Sequence, residues 1–199
     1  MIALKVCELA TLDDAKACVS LGAHALGVRL GRPAAADPAL SLAAAIAEAL
    51  GDRALVVGVV GPEVADDELE LLKRETGVAC LQFEGPRARE RAERHLPHAY
   101  PSLPPDALAR AAPGFAGGYV MARLEAPPGD ADARAWAALG ALARAKRLAL
   151  SAPFTPDAAR AALARLRPYC LDLRPLPSEK GQLDPRRVGA LLEVLREPA

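Results

Sequence analysis

"ALVVGVVG", residues 54 to 61, is apolar throughout apart from two glycines and shows no polar alternation. A strand with one wet face alternates apolar and polar residues. One without alternation must be covered on both faces, which is the mark of a parallel sheet flanked by helices. Working outward in both directions, the same kind of run recurs, each time followed by a stretch with helical spacing. Strands are predicted near 2–7, 24–30, 54–60, 78–83, 97–102, 118–123, 146–151 and 169–173. Helices are predicted near 12–21, 38–50, 64–76, 86–94, 104–112, 130–144, 155–166 and 184–196.

Local signals support the helices. Thr11 caps "LDDAKACVSLG", with Asp13 and Asp14 in the first turn and Gly22 as the stop. Thr155, Pro156 and Asp157 open another with a hydroxyl cap, a proline at the first helical position and an early acid. Strand and helix alternate without adjacent hairpins, which means βαβ units. Eight such units predict an α/β fold, a compact (β/α)8 TIM barrel forming a single domain over 1–199, with an open doubly wound sheet as the alternative on pattern alone. The fifth unit, "HAYPSLPPDALARAA" at 98–112, is the weakest, because prolines stand where a central strand needs donors.

Composition narrows the function classes. Of the 199 residues, 25 are Lys or Arg and 25 are Asp or Glu, so the formal net charge is zero. Without a basic block there is no phosphate-neutralising face for nucleic acid. No window reaches the roughly 18 apolar residues of a membrane span, and Met1 to Lys5 lacks the charged start of a signal peptide. The expectation is a cytoplasmic protein, a monomer or homodimer, that binds no nucleic acid or membrane. Cys7, Cys18, Cys80 and Cys170 show no CxxC spacing and are read as reduced thiols. His24, His95 and His98 lack metal-ligand companions at usable spacing, so neither metal nor cofactor is expected. "RARERAERH", 87 to 95, reads as the solvated face of the fourth helix, and Trp136 as the anchor of the sixth.

In a barrel, chemistry belongs at the C-terminal strand ends. Glu8, Arg29, Glu84, Arg123 and Arg174 fall there with opposite charges. They form either a ring of ion pairs closing the barrel mouth or a polar pocket for a small anionic molecule. Cys7 closes the first strand in "LKVCELATLDDAK", 4 to 16, and is either a reactive thiol or a small buried side chain.

Several segments, in order, resemble the phosphoribosylanthranilate isomerase family. "LKVCELATLDDAKACVSLGAHALGVRL" is similar to the family's K-[IV]-C-G-[IL]-T opening and second strand, and "VVGVVGPEV" to its third. "VACLQFEG" resembles its fourth strand, which ends Q-L-H-G, and "RLALSAPFTPDAARAALARLRPYCLDL" its last two units. The resemblance implies a closed barrel and an Amadori rearrangement of N-(5'-phosphoribosyl)anthranilate in tryptophan biosynthesis. That reaction needs a general acid for the sugar ring oxygen, a base for the C2 proton and a cradle for the phosphate.

The resemblance places the base at Cys7, but the glycine that follows it in the family is Glu8 here, a carboxylate expected to disfavour a thiolate whose pKa is already about 8.5. Counted back from Arg134-Ala135-Trp136, it places the acid at Ala122, which carries no proton, with Arg123 next and Glu125 on the following loop. The phosphate cradle reads Ala152-Pro153 and Pro175-Leu176-Pro177, and Pro153 has no N–H to donate. In "GRPAAADP", 31 to 38, alanines replace the arginine that meets the anthranilate carboxylate, with Arg29 or Arg32 as compensators. Glu84 replaces the histidine of Q-L-H-G, while Cys7, Gln82 and Asp172 survive. The expectation is an isomerase scaffold with impaired or lost activity. The alternatives are an isomerase with relocated groups, using Asp172 or Glu125 as acid, or a barrel enzyme for another small anion.

Overall fold

The computed structural model describes residues 2–31, 38–129, 132–175 and 184–197. Eight parallel strands follow one another in sequence order and close into a barrel through the pairing of the first with the last. They are β1 (Ala3–Val6), β2 (Ala25–Leu30), β3 (Leu55–Val60), β4 (Cys80–Glu84), β5 (Ala99–Leu103), β6 (Tyr119–Arg123), β7 (Arg147–Ala152) and β8 (Cys170–Leu173). The helices between and after them are α1 (Leu12–Leu21), α2 (Pro38–Leu50), α3 (Leu69–Thr76), α4 (Ala88–Arg94), α5 (Pro105–Ala111), α6 (Ala133–Ala145), α7 (Pro156–Leu166) and α8 (Pro185–Arg196). Among the described residues no helix is long and apolar enough to cross a membrane.

Capping fixes the helix starts. Thr11 Oγ1 accepts from the Asp14 N–H at 3.0 Å, Thr155 from Ala158, Asp132 from Ala135 and Asp184 from Arg186. Gly22, at φ 115°, ends α1 in the left-handed conformation, with its N–H directed to Cys18 and Val19. The helix expected over 64–76 begins instead with a 3-10 turn at Asp66–Glu68, where the Glu68 carboxylate accepts from the Ala65 N–H at 2.9 Å.

The strand period of two sorts side chains between two cores. Outward residues such as Leu4, Val6, Val28, Phe83, Val120 and Leu150 pack under the helices in one continuous apolar layer. Burying each large one contributes about 1.5–3 kcal/mol. Inward, Val57, Tyr100, Met121, Ala149 and Cys170 form a second, smaller cluster. The proline-rich fifth unit does form a strand. β5 matches four residues of β4 but only Ser102 and Leu103 pair with β6, as expected when Pro101 supplies no N–H.

One surface expectation is corrected. Arg91, in the charge-rich stretch of α4, is 4% exposed. Its guanidinium donates to Asp66 at 2.6 Å and to the Gly61 and Val64 carbonyls at 2.9 and 2.8 Å, and lies 4.8 Å over the Phe83 ring. It ties the β3–α3 loop to α4. Trp136 does anchor α6, buried in the outer layer with Nε1 donating to the Gly129 carbonyl at 3.0 Å.

Candidate active site

The site is built from β1. Leu4 and Val6 face the helices, so Lys5 and Cys7 face the barrel interior. Lys5 is 2% exposed, and a buried ammonium requires compensation. It donates to Asp172 Oδ1 at 3.0 Å, to Gln82 Oε1 at 3.0 Å and to Cys7 Sγ. Tyr100 donates its hydroxyl to the same Gln82 oxygen at 3.1 Å, while Gln82 Nε2 donates to Glu84 Oε1 at 3.3 Å. A polar chain therefore runs from the barrel centre to its mouth. Gly27 on β2 makes room for it, since a Cβ there would overlap Cys7 Sγ and lie 2.8 Å from Lys5 Nζ.

Electrostatics set the protonation states. Burial disfavours the Lys5 ammonium, but the Asp172 charge and the hydrogen bonds to Asp172 and Cys7 outweigh it and its pKa is raised. Lys5 is cationic at any ordinary pH. Burial pushes the Cys7 thiol up, Asp172 pushes it further, and Lys5 opposes both without cancelling them. Cys7 is a thiol at neutral pH. Glu8, expected from sequence to disfavour the thiolate, is not among the main influences on it. It is exposed, at φ 60°, and no hydrogen bond or ion pair holds it among the described residues.

At the mouth, Glu84 Oε2 lies between Arg29 Nη2 at 3.0 Å and Arg123 Nη1 at 3.4 Å, and Arg29 also reaches Glu63 at 3.7 Å. Arg174 is drawn away from this group, donating to the Leu124 carbonyl. Among the described residues, Ser102 Oγ, Asp172 Oδ2 and the Nε atoms of Arg123 and Arg174 are buried without hydrogen-bond partners. Arg32, positions 34 to 36 and positions 176 and 177 lie outside the described residues. Glu125 is exposed.

Ala122 does not face the interior. It is fully buried in the outer layer with Val120 and Leu124, against the helices. The alternation of β6 turns Met121 and Arg123 inward, so the inward position at the end of this strand belongs to Arg123. Counting from Trp136 misses this by one residue, because loop length says nothing of pleat. Sequence reading also missed Lys5 and Tyr100. The signal for Lys5 was present: a lysine two residues before Cys7 shares its face of the strand.

No family model matches the chain. It is 30% identical over 207 residues to N-(5'-phosphoribosyl)anthranilate isomerase of Pseudomonas aeruginosa, with 98% of this chain and 95% of that one covered. This chain belongs to the phosphoribosylanthranilate isomerase family. The solved phosphoribosyl anthranilate isomerase from Thermus thermophilus superposes with a TM-score of 0.72 at 28% identity, covering 98% of both chains. The enzyme from Thermotoga maritima superposes with a TM-score of 0.80 at 19% identity, again over 98% of both, and shares the fold. Cys7 stands at the end of β1 and Arg123 at the inward end of β6, and a guanidinium cannot donate a proton at neutral pH.

Proposed function

We propose that the chain is a phosphoribosylanthranilate isomerase-like barrel whose isomerase activity is impaired or lost. The reading rests on one observation above all: the inward residue at the end of β6 is Arg123, ion-paired to Glu84. An Amadori rearrangement needs an acid on one side of the pocket and a base on the other, with pKa values suited to opposite tasks. A guanidinium supplies no proton, and a thiol raised by burial is a poor base. Pro153 removes one backbone donor from the region where a phosphate cradle would lie. The proposal keeps the chain cytoplasmic and free of metal and cofactor.

Growth of a tryptophan auxotroph lacking its own isomerase tests it. Soluble, folded protein without rescue is the expected outcome; rescue that disappears with Cys7→Ala would overturn it.

Two second readings draw on the unpartnered atoms. An isomerase with relocated groups would draw its acid from Asp172, whose Oδ2 is buried without a partner among the described residues, or from the exposed Glu125. Ser102 Oγ and Arg123 Nε, together with the half-exposed Arg29, leave hydrogen-bonding capacity at the mouth that suits a small carboxylate rather than a phosphate. Saturable binding of small dicarboxylates, weakened by Arg123→Ala, would favour the latter.

A further inference from the structure

The opposite end of the barrel is hollow. TIM barrels fill their interior with bulky branched side chains, yet here the inward positions near the strand starts include Ala3, Ala25 and Cys80. They surround a cavity of about 490 Å³ that reaches up to Lys5 and Tyr100. That volume falls within the range of small-molecule sites, roughly 300–1,000 Å³. Its wall is aromatic. Tyr119 packs edge-on against Tyr100 at 4.6 Å and against Tyr169 at 5.5 Å, and Val57 completes the apolar lining. Tyr169 is 48% exposed and Leu55 47% exposed, and both line the cavity.

The charge at this end is one-sided. Arg147 stacks over the Tyr169 ring at 5.5 Å and lines the cavity. It also lines an adjoining depression of about 430 Å³ with Arg144 and Arg167, whose lining includes no Asp or Glu. Among the described residues, none of these three guanidiniums lies within ion-pair distance of a carboxylate. An aromatic slot beside unpaired guanidiniums matches a ligand with a flat ring at one end and a negative charge at the other.

We propose that the N-terminal end of the barrel is a second binding site, for a small aromatic anion, with its ring against Tyr119 and Tyr169 and its charge on Arg147. The site does not depend on the chemistry at the mouth. Calorimetric titration of the full chain with benzoate, and with benzyl alcohol as the neutral counterpart, tests it. Benzoate is expected to saturate with a Kd on the order of 1 mM, and benzyl alcohol to bind several-fold more weakly. Arg147→Ala removes an exposed side chain, leaves the fold intact and weakens benzoate about tenfold without affecting benzyl alcohol. Ala25→Leu fills the hollow and removes binding of both; if it does not fold, Ala3→Val serves instead. No saturable benzoate binding would overturn the proposal. So would benzoate affinity unchanged by both Arg147→Ala and the filling variant, which would place the ligand at Arg29 and Arg123 in the mouth.

Discussion

Lys5 Nζ and Asp172 Oδ1 lie 3.0 Å apart at the centre of the barrel, with side chains only 2% and 1% exposed. β1 and β8 are hydrogen-bonded neighbours with Lys5 opposite Asp172, so the pairing that closes the barrel also fixes the ion pair. A pair so deep has lost its hydration, and what compensates is its own attraction plus the bonds to Gln82 and Cys7. The two charges depend on each other.

Removing one partner strands the other. Lys5→Met leaves Asp172 charged and buried, and is expected to cost about 3–5 kcal/mol. The double variant Lys5→Met/Asp172→Leu should recover much of that loss. Urea unfolding of wild type, both singles and the double measures the coupling. A Lys5→Met protein as stable as wild type would refute the pair's structural role.

Gly27 is required by space rather than by backbone conformation. A Cβ there meets Cys7 Sγ and Lys5 Nζ, so Gly27→Ala is expected to destabilise by about 1–3 kcal/mol. Cys7→Ala removes the sulfur, and Gly27→Ala made in that background should cost clearly less. The same unfolding series reads the difference.

Glu8 holds a left-handed conformation at φ 60°, and among the described residues no hydrogen bond maintains it. Such a conformation costs a side-chain-bearing residue about 1–2 kcal/mol, and glycine avoids that at an entropic cost of roughly 0.5–1 kcal/mol. Glu8→Gly should therefore be neutral or stabilising by up to about 1 kcal/mol, and Glu8→Val destabilising. Thermal melts of the two variants check the order.

The thiols predict a pH dependence. Burial raises Cys18 and Cys80 from near 9 to about 11, and Cys170 to about 12. Above pH 9 the unfolded chain releases these protons while the folded chain retains them. Stability attributable to the thiols is then complete below about pH 9 and falls progressively as pH rises toward 11 and 12. At pH 7 an alkylating reagent should leave Cys7, Cys18 and Cys170 untouched, with only half-buried Cys80 reacting slowly. Mass spectrometry before and after unfolding reads the labels.

Much of the fold was legible because the signals are local. Unalternating strands such as Leu55–Val60, the caps at Thr11 and Thr155 and the stop at Gly22 each act within a few residues. Arg91 was misread because a charged helix stretch shows its composition but not which residue turns under the loop. Ala122 and Arg123 were separated only by the pleat of β6, which a count along a variable loop cannot follow. Lys5 escaped notice because its partner is 167 residues away, and nothing near it in sequence shows that Asp172 compensates its burial.

The central claim of the proposal is that Arg123, at the inward end of β6, supplies no acid for the isomerisation. Purified chain incubated with N-(5'-phosphoribosyl)anthranilate, followed by loss of substrate fluorescence beside an active Pseudomonas aeruginosa isomerase, tests it most directly. Turnover orders of magnitude below that of the active enzyme and unchanged by Cys7→Ala is the predicted result. Turnover comparable to the active enzyme and abolished by Cys7→Ala would contradict the account.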